Sequence, residues 1–205
     1  MAAASPVPGA GAGSDDAQLT VWKPFLVRAV VSAVFGLVTI FWRDPSTLVM
    51  SLAGGLYLLL NGGAYLWTHR RTHWGPRFRL LTEIGGGLLL GAGIASLVFL
   101  DDRSFAFAGA VALAVAGAAE LARGFAVRGH VAARDLVTAG AVALATGGIL
   151  PFVEELGAHA LLGVTGGGAL LTAVVLGIAA LGYRHDSALS APAVSGAQGE
   201  PDPVN

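Results

Sequence analysis

The chain has 205 residues, of which 55% are hydrophobic and 12% are charged, and its mean hydropathy is +0.70. A soluble domain carries about 25% charged residues, so the apolar side chains here are too numerous to be hidden from water, and a lipid bilayer is the predicted solvent. The formal net charge of −1 argues against nucleic acid as a partner, and the absence of cysteine excludes disulfides and thiol chemistry.

Six continuous apolar segments follow one another along the chain. Each is close to the ~20 residues that a helix needs to cross ~30 Å of hydrocarbon. A strand of a membrane barrel would instead show alternating residues over ~10 positions. The sequence therefore predicts an all-α integral membrane protein with six transmembrane helices, at residues 24–42, 47–68, 80–100, 105–127, 136–153 and 158–183.

The two ends of the chain have a different composition. Residues 1–21 and 186–205 are rich in Ala, Gly, Ser and Pro and contain no long apolar run. Such segments cannot bury enough apolar surface to offset the entropy of ordering them. We expect disordered cytoplasmic arms on both sides of a transmembrane domain that spans residues 22–185.

Basic residues are distributed unequally between the two sides of the predicted bundle. Only Arg43 and Arg103 fall on the side of the short turns, and the other ten of the twelve fall on the side of the termini. The positive-inside rule then predicts a membrane protein with both termini in the cytoplasm, where the basic links face anionic lipid headgroups. The ten are Lys23, Arg28, Arg70, Arg71, Arg77, Arg79, Arg123, Arg128, Arg134 and Arg184.

The loops alternate between short and long, which predicts three sequential helical hairpins. Gly36 and Gly91 lie 55 residues apart, and so do Gly62 and Gly117, which indicates a parallel repeat of about that length. Inverted repeats with broken helices, the stronger signature of a transporter, are not indicated.

The stretch from Phe35 to Pro45 (FGLVTIFWRDP), with the later LYLLLNG ending at Gly62, resembles one repeat of the HdeD-type acid-resistance membrane proteins. The resemblance extends over about residues 24–185. It implies a short-repeat, six-helix protein of the bacterial inner membrane with a non-enzymatic role in stress, in particular acid stress. The matching positions are Gly36, Pro45 and Gly62, then Gly91 and Gly117, then Gly147, Pro151 and Gly177.

Ionisable residues inside the apolar segments form the first candidate site. They lie near the cytoplasmic ends of the helices, where a charge in a membrane needs a partner. Two interpretations stay open: a structural ion-pair network, or a site used by a transporter or channel for protons or small solutes. The candidate cluster comprises Arg28, Asn61, Glu83, Glu120 and Arg123.

Acidic residues and one histidine mark the opposite side and form a candidate external pH sensor. Falling pH would change the charge of most of these groups, although acids are also common in ordinary turns. The candidates are Asp44, Asp101, Asp102, Glu154, Glu155 and His159.

Pairs of glycines four residues apart predict close helix packing. Gly87 with Gly91, and Gly163 with Gly167, form small-xxx-small motifs, for which we expect packing within the chain, with homo-oligomerisation as the alternative. No nucleophile-and-base motif, metal-ligand pattern or nucleotide-binding loop is recognisable in the sequence. We therefore predict neither catalytic residues nor a metal or cofactor.

Overall fold

The computed structural model describes residues 12–71, 75–126 and 132–190. It has six long helices, and each forms all or most of an apolar span of 20 to 28 residues that is long and apolar enough to cross a membrane; the fifth span, Ala133–Phe152, extends past its helix into a 3-10 turn. The predicted all-α, multi-pass membrane architecture is confirmed. The helices are α1 (Ala12–Phe41), α2 (Thr47–Arg71), α3 (Gly75–Phe99), α4 (Asp102–Ala126), α5 (Ala133–Ile149) and α6 (Ala158–Ser190), and two short 3-10 turns, Leu150–Phe152 and Glu154–Leu156, join α5 to α6.

The first and last helices extend beyond the predicted transmembrane domain. Helix α1 begins at Ala12 and α6 ends at Ser190, so parts of both predicted disordered arms are helical. In α1, Asp15 and Asp16 lie near the N-terminus, where negative charge complements the helix dipole, and the Ala, Gln and Leu that follow are good helix formers. The rest of the arms, residues 1–11 and 191–205, lies outside the described residues.

The six helices form a closed ring. Each helix packs against its neighbours in the chain, and α1 packs extensively against α6 to close the ring. The backbones of α2, α4 and α6 also approach one another across the middle, whereas the backbones of α1, α3 and α5 do not approach one another within the described residues. We call the end of the bundle with residues 42–46, 100–101 and 150–157 the turn end, and the end where α1 begins and α6 finishes the basic end.

Glycines spaced seven residues apart along each helix bring adjacent helices into backbone contact. These are Gly117 and Gly124 on α4, Gly140 and Gly147 on α5, Gly55 and Gly62 on α2, and Gly86 and Gly93 on α3. A Cβ added to Gly117 of α4 would lie 2.6 Å from the carbonyl oxygen of Gly140 of α5, and a Cβ on Gly140 would lie 2.7 Å from the Gly117 oxygen. Between α2 and α3, a Cβ on Gly93 would lie 2.8 Å from the Gly55 oxygen. Because apolar surface in lipid gains little from burial, this close approach is what lets dispersion hold the helices together.

The glycine pairs predicted to pack inside the chain do not do so. A Cβ added at Gly87, Gly91, Gly163 or Gly167 would meet no atom within 4 Å, so these four positions face away from the neighbouring helices. The prediction of intramolecular packing at these positions is wrong. Four-residue spacing suits a right-handed helix crossing, whereas the contacts that form follow the seven-residue spacing of nearly antiparallel neighbours.

We predict that Gly117→Ala lowers the melting temperature of the protein in detergent, whereas Gly91→Ala leaves it unchanged or raises it. The methyl group at residue 117 would meet a backbone carbonyl that cannot rotate away, and such overpacking costs about 1–3 kcal/mol. The methyl group at residue 91 meets open space, and alanine favours helix by ~1 kcal/mol over glycine. Equal melting temperatures for the two variants would contradict the described α4–α5 interface.

Candidate functional site

Arg28 is the centre of a buried polar cluster that joins three helices. Its side chain, on α1, is 5% exposed and pairs through Nη1 with the Glu120 carboxylate on α4. Its Nε donates a hydrogen bond of 3.2 Å to Oδ1 of Asn61 on α2, whose Nδ2 in turn donates to the Tyr57 hydroxyl at 3.1 Å. One guanidinium therefore ties α1 to both α2 and α4.

A second arginine approaches the same carboxylate. Nη2 of Arg123 lies 3.8 Å from Oε1 of Glu120, and the two residues are three apart on α4. The Tyr65 ring is shared by both guanidiniums, with 5.1 Å from the Arg28 carbon to the ring centroid and 5.0 Å from the Arg123 carbon. A desolvated cation over an aromatic face is stabilised by the ring quadrupole, so Tyr65 offsets part of the cost of burying two like charges.

The cluster carries an excess of positive charge. Arg28, Glu120 and Arg123 are all buried, and no other charged residue among those described is buried. Two cations and one anion leave a formal charge of +1 inside the bundle. Oε2 of Glu120 and Nε of Arg123 make no hydrogen bond to any described residue. Burying a polar atom without a partner costs free energy. Such atoms are therefore unusual in a site whose only role is packing.

The arrangement follows from helical spacing. Tyr57, Asn61 and Tyr65 are each four residues apart, which places them on one face of α2, and that face points into the bundle. The sequence-based candidates Arg28, Asn61, Glu120 and Arg123 are brought together here. Tyr57 and Tyr65 were missed from the sequence, although their spacing from Asn61 was a signal that could have identified them.

Glu83, the fifth predicted member, is not part of the cluster. Its side chain is 46% exposed, and Oε1 accepts a hydrogen bond of 2.8 Å from Nε of Arg79 one turn away on α3. Residue 83 lies on the face of α3 that points to the periphery, and sequence spacing alone could not show this. The prediction of a Glu83 contribution to the buried cluster is wrong.

Apolar side chains pack between the cluster and each end of the bundle. At the turn end, fully buried Met50, Phe105, Leu150 and Leu161 pack together, and the Phe105 ring occupies the space left by the missing side chain of Gly54. A second apolar group packs near the basic end, with Phe25, Leu136 and Leu176 from α1, α5 and α6. Apolar side chains therefore pack on both sides of the polar cluster along the length of the bundle.

The candidate pH-sensing residues lie at the turn end but make no salt bridge among the described residues. Asp44, Glu155 and His159 are exposed, while Asp101, Asp102 and Glu154 are half-buried. Asp101 caps α4, since its Oδ1 accepts a hydrogen bond of 2.7 Å from the Ser104 backbone N–H. Hydrogen bonds from the Ser104 side chain and backbone hold the pKa of the Asp101 carboxyl below its usual value. Capping accounts for Asp101, and a sensing role for the other five stays a prediction.

Comparison with known proteins supplies no relative for this arrangement. No family model matches the chain, and neither a curated protein nor a solved structure is significantly similar to it. The resemblance to the HdeD-type proteins thus rests on the sequence motifs alone. Within the described residues, no group of three or more His, Asp or Glu side chains is arranged to hold a metal ion.

We predict that Glu120→Gln lowers the melting temperature in detergent more than Arg28→Gln does. The first change leaves two buried guanidiniums without a carboxylate, whereas the second leaves Glu120 with Arg123. Removing one partner of a buried pair costs about 3–5 kcal/mol, and removing both costs less, so Arg28→Gln added to Glu120→Gln should recover part of the loss.

Glu83→Gln is the matched control for this series. It removes the carboxylate of a solvent-screened pair on one helix, so the melting temperature should barely change. If Glu120→Gln behaved like Glu83→Gln, the buried pair would not hold the three helices together.

Proposed function

We propose that this chain is a non-enzymatic, multi-pass protein of the bacterial inner membrane with a role in the response to acid or a related stress. The single observation that carries the non-enzymatic part is the use of the buried ionisable groups. Arg28 and Glu120 bind each other and link α1, α2 and α4, instead of converging with a nucleophile on a substrate cleft. The stress role is supported by the HdeD-type sequence motifs described above.

The three-hairpin repeat is also part of the proposal, and the helix packing supports it. The second helix of each proposed hairpin, namely α2, α4 or α6, contacts the other two across the middle of the ring. Gly62 and Gly117, which are 55 residues apart, also have comparable surroundings. Each packs against the first helix of the following hairpin: Gly62 of α2 contacts α3, and Gly117 of α4 contacts α5.

We propose that both termini face the cytoplasm, because ten of the twelve Lys and Arg residues fall on that side. Topology reporters fused at Arg71 and Arg128 should then give cytoplasmic signals, and reporters fused at Asp102 and Glu155 should give external signals. An external signal at Arg71 would contradict the proposed orientation.

Transport of a small solute or protons is the second candidate function. The observation in its favour is the excess positive charge of the buried cluster, together with a small polar cavity that Arg28 and Asn61 line. Intramembrane charges often mark ion or substrate pathways. The apolar layers at both ends would then have to open in turn, as alternating access requires.

A deletion strain separates the two candidate functions. For the stress role we expect survival at low pH to fall several-fold, with solute uptake at neutral pH unchanged. Complementation with the wild-type gene should restore survival, and complementation with Glu83→Gln, at the exposed pair, should do so equally well. A strain with normal acid survival and impaired uptake of a solute would support transport instead.

A further inference from the structure

We propose that the cavity beside Arg28 binds one small monovalent anion of halide size. This inference goes beyond the stress role proposed above and does not depend on transport, because a bound ion can stabilise the bundle without crossing the membrane. It rests on three features of the cavity: its size, its hydrogen-bond donors and the charge around it.

The cavity is small, and residues of five helices line it. Its volume is about 20 Å³, and a single water needs about 10–15 Å³ of such space. One water or one ion of similar size fits, and a sulfate or an organic anion does not. The polar residues that line it are Arg28, Tyr57, Asn61, Thr146, Thr165 and Thr172, and the others are Ala, Gly and Leu.

Donors for an anion are available on this lining. Arg28 uses Nε and Nη1 for Asn61 and Glu120, whereas Nη2 makes no hydrogen bond to any described residue. Asn61 donates one amide hydrogen to Tyr57 and keeps a second. Thr146 and Thr165 already donate their hydroxyl hydrogens to carbonyls of their own helices. The Tyr57 hydroxyl accepts from Asn61 and still has its own hydrogen, so Arg28, Asn61, Tyr57 and Thr172 are the groups to coordinate an ion.

The charge distribution selects an anion over a cation. The buried cluster has a formal charge of +1, and Arg28 lines the cavity while Glu120 and Arg123 do not. An anion would therefore meet the Arg28 guanidinium without facing the Glu120 carboxylate, and it would neutralise the excess charge. In a low-dielectric interior this compensation is far stronger than it would be in water.

The test uses the full-length protein purified in detergent at constant ionic strength. Sodium gluconate is replaced stepwise by sodium chloride or sodium bromide, and the melting temperature is followed. We expect a saturable increase for both halides, because an ion that binds only the folded state raises its stability until the site is full. Sulfate should give only a non-saturating increase, because it stabilises proteins in general through exclusion from their surface. In crystals grown with bromide, one anomalous peak should lie in the cavity.

Two variants link the effect to the cluster. Arg123→Gln removes the excess charge but keeps the Arg28–Glu120 pair, so halide affinity should fall roughly tenfold or more. Thr172→Val removes a donor from the lining and should weaken binding as well. Arg103→Gln, an exposed position at the turn end, is the control for surface screening and should bind halide like the wild type.

The possible outcomes are distinct. Equal melting temperatures in all anions, unchanged halide affinity in Arg123→Gln, or a cavity that holds water only would each overturn the proposal. Halide-dependent stability without halide flux in proteoliposomes would support the site and count against transport. Loss of the anion proposal would leave the stress role intact, because acid survival of the deletion strain is measured separately.

Discussion

The arrangement of α1, α2 and α4 depends on one interaction, a carboxylate held between two guanidiniums inside a bundle that lipid surrounds. Glu120 makes it possible to bury Arg28 and Arg123, and Arg28 then reaches Asn61 on another helix. In hydrocarbon each of these charges alone would cost several kcal/mol. The cluster therefore favours one relative placement of α1, α2 and α4, whereas generic apolar packing would tolerate several.

Close backbone contact is the second constraint, and it acts between helices that the ion pair does not join. Gly117 and Gly140 bring α4 and α5 together, and Gly55 and Gly93 do the same for α2 and α3. Because lipid tails are as apolar as leucine, these contacts stabilise the bundle through shape and dispersion more than through the hydrophobic effect. The polar cluster and the glycine contacts thus provide specificity and close packing at different places in the ring.

The small cavity lies beside the polar cluster. Its walls combine the Arg28 guanidinium with threonines on α5 and α6, and apolar layers separate it from both ends of the bundle. A polar space of this kind inside a membrane protein needs an occupant or a compensating charge. Because the described interior has a formal charge of +1, an anion is the natural occupant of this space. By neutralising that charge, a bound anion would stabilise the whole bundle.

Apolar runs of about 20 residues were enough to predict six membrane-spanning helices, because length and hydropathy are local properties of the chain. The candidate charges were also recognisable, since any ionisable residue in such a run needs a partner. Which charges meet depends on how the helices are arranged in the ring. Tertiary packing directs Glu120 inwards and Glu83 outwards, and it places Gly117 rather than Gly91 at a helix contact. Spacing within one helix defines a face, but only the neighbouring helices determine whether that face meets protein or lipid.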